Sequence, residues 1–422
     1  MKVLYIADNR CRPNFGCRAT SMALADIINR KNTIVSTISG DIIEKYDPVL
    51  YKGNYVRTPM PRIWRYVVKA KNKILRVHLK DEADFISCNV NESVQSFLKI
   101  YSKYPPLNDI MHSVEEADCV IANGEGSFLF RAIFPYEAYF ILFVLALAQS
   151  KGKKTYLLNA MFSDGTYSER NEQALIECKS ILTKCSLVTA RDYFSQKYYL
   201  DNIGNNVIYM PDALFSWEKY SNYFSLASRY PLAGVSFPDD EILWKEFDFS
   251  QPYIVVSAGS RNFKPFVNED KEAYYKLVTR LSEKYRVVLQ STSEAESQIL
   301  KSIASELNLK FIDCRTNILF GLSVLANAQC YVSGRWHPSI LASIGGTPCV
   351  IFESNSHKSR AVYSELGYYE NEPLYHNPPQ EDEIETIVKR VEETISNISR
   401  KTISKAVLSK CEMLEQYDEL LV

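Results

Sequence analysis

Short runs of β-branched and other apolar residues alternate with stretches of helical periodicity along most of the chain. This alternation restricts the fold more than any other feature, because strand–helix–strand order packs as a parallel sheet covered on both faces. Strands are expected at 3–6, 33–37, 119–122, 155–159, 187–190 and 207–209, with helices over 19–29, 135–149, 171–183 and 192–201. The pattern fades over 216–250, where aromatic and turn-forming residues dominate. It resumes with strands 253–257, 287–290, 310–312, 330–333 and 348–352 and helices 270–284, 294–307, 318–328 and 338–344. The expected fold is α/β, two Rossmann-like doubly wound domains facing a cleft. An N-terminal domain would occupy 1–215, a connection 216–250, a C-terminal domain 251–380 and a helical tail 381–422. In that tail Ile384, Ile387, Val388, Val391, Ile395 and Ile398 recur at helical spacing, which predicts one long packed helix.

A length of 422 residues suits two domains at about 100–200 residues each. With 46% hydrophobic and 23% charged residues, the composition is that of a globular protein. The formal net charge of −1 gives no global basic field, so no nucleic-acid partner is expected. The 10 cysteines form no C-x-x-C pair and show no regular spacing, which weighs against a zinc site and a disulfide framework. The first residues read as a strand rather than a leader. The longest apolar run, 139–148, falls short of the roughly 20 residues that span a bilayer. A cytoplasmic protein is therefore expected.

Residues suited to chemistry gather where strands end, the usual ligand side of open parallel sheets. Arg335 and His337 stand between strand 330–333 and the following helix. A helix N-terminus attracts anions, an arginine fork suits carboxylate or phosphate, and histidine moves protons near neutrality. The same pair also fits a buried capping histidine beside an arginine in an ordinary ion pair. Lys358, on the next loop, is either a second cation for a dianionic ligand or a solvated lysine. Strand 119–122 runs into Asn123, Gly124, Glu125, Gly126 and Ser127, which read as an anion-binding loop before a helix. Glu125 there is an acid or base, or a surface carboxylate. Arg191 would stand at a strand tip, beside an Asp192 that also reads as a helix N-cap. Asp212 is an acid–base candidate or a turn-former. Asn14 and Gly16 lie in the first strand-to-helix loop. Cys17, in the same loop, has no histidine beside it in sequence, which argues against a nucleophilic role.

Residues 52–80 hold nine lysines and arginines and no acidic residue. On a helix over 60–80, Arg62, Arg65, Lys69, Lys73, Arg76 and Lys80 share one face, with Trp64, Val67, Val68, Ile74 and Leu75 opposite. Such a helix suits an anionic membrane surface or, equally, packs its apolar stripe on the sheet.

Taken in order, these segments resemble the polysaccharide pyruvyl transferase family over most of the chain, from Met1 to about Gly367. The matching pieces are the Asn14/Gly16 loop, the stretch from Ala117 to Gly126, Ala190 to Ser195, Pro211 with Asp212, Ser333 to His337 followed by Gly346 to Pro348, and Lys358 followed by Leu366 and Gly367. The resemblance implies a glycosyltransferase-B-like fold. It implies transfer of pyruvate from phosphoenolpyruvate, a donor substrate rather than a cofactor, onto sugar hydroxyls of cell-wall, capsular or exopolysaccharide precursors. The product is a ketal. On this reading His337, Arg335 and Arg191 are catalytic. Asn14, Gly16, Gly124, Glu125, Gly126, Ser127, Asp212, Ser333, Trp336 and Lys358 contact substrate, and no metal is needed. The acceptor would be a sugar, lipid-linked at the inner face of the cytoplasmic membrane if the basic segment docks there. Two other readings share the fold: a glycosyltransferase using a nucleotide sugar, with Glu353 as the ribose anchor, and a non-catalytic glycan-binding protein.

Overall fold

The computed structural model describes residues 1–40, 85–103, 105–166, 168–224, 247–260, 266–368 and 372–421. The basic segment 52–80, its expected helix over 60–80 and most of the connection 216–250 lie outside the described residues. Two compact units are present. The first comprises Met1–Cys11, Leu24–Asp212 and Gln416–Val422; the second comprises Arg12–Ala23 and Ala213–Glu415. The residues around Asn14 and Gly16 therefore fold with the second unit, although in sequence they directly follow the first strand.

In the first unit the elements run β1 (Lys2–Asp8), α1 (Phe15–Ile28), β2 (Thr33–Ser39), α2 (Val90–Ile100), α3 (Pro105–Glu116), β3 (Cys119–Phe130), α4 (Tyr136–Ser150), β4 (Lys154–Asp164), α5 (Glu172–Leu182), β5 (Leu187–Ala190), α6 (Tyr193–Asn202) and β6 (Val207–Tyr209). Only the end of α1 belongs to this unit. All six strands are parallel, in the order β2-β1-β3-β4-β5-β6. Local chemistry sets the helix starts. Asn89, Asn171 and Asp192 each accept a hydrogen bond from a backbone N–H of the first turn, at 3.0, 2.9 and 2.8 Å. Asp192 is thus the N-cap of α6, the plainer of its two sequence readings. The apolar run 139–148 lies within α4, whose buried residues include everything from Ala138 to Ala148. It is a core helix, and no helix among the described residues is long and apolar enough to cross a membrane. Phe143 of this helix meets Phe85 and Phe97, the three ring centroids 5.0–5.5 Å apart, each contact adding about 0.5–1.5 kcal/mol beyond area burial.

One local expectation is corrected here. Gly124 to Ser127 do not form a loop before a helix; they lie inside β3, which continues to Phe130 and pairs with β4 as far as Phe130 opposite Asp164. Phe128, Leu129 and Phe130 are buried, and that burial carries the strand past the glycines. A register shift between Glu125 and Phe128 marks the spot, with Glu125 at a left-handed φ of 39°. Gly124 is needed for packing, since a Cβ there would lie 2.4 Å from the Ala160 Cβ.

In the second unit a 3-10 segment (Ala213–Phe224) precedes β7 (Ile254–Gly259), α7 (Asn268–Ser282), β8 (Val287–Gln290), α8 (Glu294–Glu306), β9 (Lys310–Ile312), α9 (Ile318–Asn327), β10 (Tyr331–Gly334), α10 (Trp336–Ile344), β11 (Cys349–Ile351), α11 (Lys358–Glu365), α12 (Ile384–Asn397) and α13 (Arg400–Met413). The five parallel strands are ordered β11-β10-β7-β8-β9. The tail is two helices rather than the single one expected. The helical pattern breaks at Ile398 and Ser399, and Arg400 then donates to the carbonyl oxygens of Ala326, Ala328 and Gly345 at 2.6–2.7 Å. Those bonds fix the direction of α13, which no periodicity in the tail records.

Because the Gly124 site has no room for a methyl group, Gly124→Ala should destabilise the protein by roughly 1–3 kcal/mol through overpacking. Urea denaturation measures this, and an unchanged midpoint would contradict the packing role.

Candidate active site

Strand order in each sheet reverses once, between β1 and β3 in the first unit and between β7 and β10 in the second. Residues just beyond the carboxyl ends of such strands line the natural ligand crevice of an open α/β sheet. In the second unit Ser260 follows β7, Ser293 follows β8 and Arg335 follows β10. Arg335 occupies the N-cap position of α10 in an extended conformation. Its backbone N–H donates to Ser333 Oγ at 3.1 Å, and Ser333 Oγ donates to the Ala258 carbonyl at 2.9 Å.

The guanidinium is held on one side. Nη1 donates to Ser260 Oγ at 3.2 Å, and Nη2 donates to Ser293 Oγ at 3.1 Å and to Glu296 Oε2 at 2.8 Å. Nε is buried without a hydrogen-bond partner. Burial opposes the charge on Arg335, but the Glu296 carboxylate outweighs it and holds the pKa above its ordinary value.

Glu296 is fully buried, and its other oxygen accepts from the Thr292 amide, the Thr292 hydroxyl and the Ser293 amide. The same two residues hold the N-terminal loop. The Thr292 carbonyl accepts from the Phe15 amide at 3.0 Å, and Asn14 forms an isolated antiparallel bridge with Ser293. Asn14 Oδ1 caps α1 by accepting from the Cys17 amide at 3.0 Å. Arg18 Nη2 donates to the carbonyls of Cys314 and Thr316 at 2.8 and 2.7 Å, and burial lowers its pKa. Gly16 lies against His337, and a Cβ on it would come within 2.7 Å of the His337 Cβ. Asn14, Gly16, Ser333, Arg335 and His337 are thus brought together within one unit. Trp336, the first residue of α10, is buried. Lys358 opens α11, half-buried, after the strand neighbouring β10.

The first unit gathers the other predicted residues. Arg191 is 2% exposed and pairs with the fully buried Asp212, Nη1 to Oδ2 at 3.6 Å. Its Nη2 also lies 3.6 Å from Met161 Sδ. Beside the switch between β1 and β3, Glu125 Oε2 accepts from Asn9 Nδ2 at 2.5 Å. Ser127 is buried, and Gly126 is exposed with open space where a Cβ would lie.

The profile of the family described as polysaccharide pyruvyl transferase matches residues 14–356. The chain belongs to the polysaccharide pyruvyl transferase family. No curated protein matches it. Among solved structures, the UDP-GlcNAc 2-epimerase of Neisseria meningitidis bound to UDP-GlcNAc is similar at a TM-score of 0.54 and 14% identity, covering 99% of this chain and 100% of that one. The S. aureus MnaA–UDP structure aligns at 0.53 and 10% identity, over 100% and 98% of the two chains. Anabaena Alr3699/HepE in complex with UDP aligns at 0.51 and 12%, over 99% and 98%. At such identities the likeness concerns the fold: this pyruvyl transferase family member is a glycosyltransferase-B-like α/β protein with two Rossmann-like domains.

Sequence reading missed Glu296, Ser293 and Ser260. A signal for Glu296 existed, since Ser293 and Glu296 stand three apart at a helix start, the spacing of a capping box. That spacing predicts the bond to the Ser293 amide but not the one to Arg335. Removing either member of this buried pair should cost about 3–5 kcal/mol by stranding the other charge. In a thermodynamic cycle, the loss in the Glu296→Gln, Arg335→Gln double variant should fall short of the summed single losses by at least ~1 kcal/mol. Additive losses would mean that the pair does not form.

Proposed function

We propose that this chain transfers the pyruvyl group of phosphoenolpyruvate onto two hydroxyls of a sugar in a polysaccharide or glycolipid precursor, forming a ketal. The observation that carries the reading is the convergence of Arg335 and His337 on the N-terminal turn of α10 with the Asn14–Gly16 loop packed against the imidazole. Family membership supports it. Phosphoenolpyruvate carries a carboxylate and a phosphate, and a helix N-terminus with an oriented guanidinium suits such charge. Arg335 is already turned by Glu296, Ser293 and Ser260, so little reorganisation is needed on binding.

In the reaction, protonated His337 gives its proton to the methylene carbon of the enol ester and C2 becomes electrophilic. A sugar hydroxyl attacks C2 and gives its proton to His337, forming the first carbon–oxygen bond. A second hydroxyl then attacks, the bond from C2 to the phosphate oxygen breaks, and inorganic phosphate leaves with the remaining proton. His337 is the acid–base group, with Arg335 as the charge-stabilising residue and Lys358 as a further cation for the donor. The chemistry needs no metal or redox cofactor.

Thermal-shift titration tests the donor: phosphoenolpyruvate should raise the melting temperature. Stabilisation by UDP instead would favour a nucleotide-sugar glycosyltransferase, a reading kept in view because similar folds were solved with UDP bound. For the role of His337, the His337→Ala variant should melt like the wild type yet lose about 10²–10⁴-fold in turnover. That loss is read by the mass of pyruvate added to an isolated glycan precursor, and near-normal turnover would refute the assignment.

A further inference from the structure

Cys17 shares the second unit with His337, and its Sγ lies within 4.8 Å of a ring nitrogen of that histidine. It is the third residue of α1, a 14-residue helix, with its amide capped by Asn14. The sequence gives it no histidine neighbour; the fold supplies one from more than 300 residues away. Close packing of Gly16 on the His337 Cβ keeps the imidazole beside this turn. A thiol next to an imidazole at a helix N-terminus loses its proton readily, because the imidazolium and the helix dipole both stabilise the thiolate.

The other cysteines set the contrast. Seven are buried: Cys119, Cys178, Cys185, Cys314, Cys330, Cys349 and Cys411. Burial pushes the Cys119 and Cys185 thiols up to about 11 and Cys349 up to about 12, and holds Cys178 and Cys330 well above their ordinary value. Cys11 is exposed and Cys88 half-buried. We infer that Cys17 is the reactive thiol of this protein, a modification site for soft electrophiles made nucleophilic by His337. In the alkylation step, the thiol proton passes to the His337 imidazole and the thiolate attacks the electrophilic carbon. A sulfur–carbon bond forms as the carbon–halogen bond breaks, and halide leaves. The thioether so formed stands against the imidazole, so electrophiles would obstruct the site that holds Arg335 and His337.

The inference rests on geometry and needs no turnover, so its test is independent of the pyruvyl reading. The full chain is treated with iodoacetamide at neutral pH, quenched at intervals and digested. Cys11 and Cys17 share one tryptic peptide, so fragment ions assign each site. Cys17 should be modified about tenfold faster than Cys11 or Cys88 in the wild type. In His337→Asn, Cys17 should slow to the rate of Cys11, while the seven buried cysteines stay unlabelled as in the wild type, which reports that the variant is folded. Faster labelling of Cys11 or Cys88 in the wild type would overturn the assignment, with no variant required. A Cys17 rate indifferent to His337→Asn would overturn the imidazole's part in it.

Discussion

A carboxylate with no solvent exposure is tolerable only if its charge is met, and the second unit is organised around meeting that of Glu296. One oxygen takes the Thr292 and Ser293 donors, and the other takes Arg335. Thr292 and Ser293 in turn hold Phe15 and Asn14. A single buried acid therefore aligns the guanidinium of the candidate site and anchors the segment that bears the N-terminal loop. Apolar replacement of a buried ion pair often preserves stability, but it discards the orientation. Orientation is what a donor-binding arginine has to retain.

The first unit meets a comparable demand at the ends of its own strands. Arg191 and Asp212 neutralise one another in full burial, and Glu125 leans on Asn9. Ala7, Glu125 and Asn159, on the adjacent strands β1, β3 and β4, all take left-handed φ values between 39° and 57°. Non-glycine residues in that region carry strain, and strain of this kind gathers where a backbone is bent to present polar groups. Here it coincides with register shifts at Ile6/Asp8, Glu125/Phe128 and Leu157/Ala160. The regular parallel ladder gives way at the level where the polar residues begin.

Much of this was legible beforehand. Strands at 187–190, 207–209, 287–290 and 310–312 were expected with the bounds observed, because each is a short apolar run closed by turn-forming or polar residues. Helix α10 and its preceding arginine were legible for the same reason. The helices α2 and α3 were overlooked, although Val90, Val94 and Phe97 in the first and Leu107, Ile110, Met111 and Val114 in the second recur at helical spacing. The extension of β3 beyond Ala122 was hidden by two glycines, which in isolation signal a turn; in this sheet Gly124 relieves contact with Ala160.

Sequence alone determined the α/β class, the parallel sheets and the identity of the arginines and histidine at strand ends, because these follow from local periodicity and from where polar residues interrupt it. Tertiary structure alone decided who meets whom. That Asn14, Gly16 and Cys17 fold with His337, that Glu296 turns Arg335, and that Asp212 faces Arg191 depend on strand order and chain crossing. Those contacts join residues dozens to hundreds of positions apart, and no periodicity in a linear sequence records such distances.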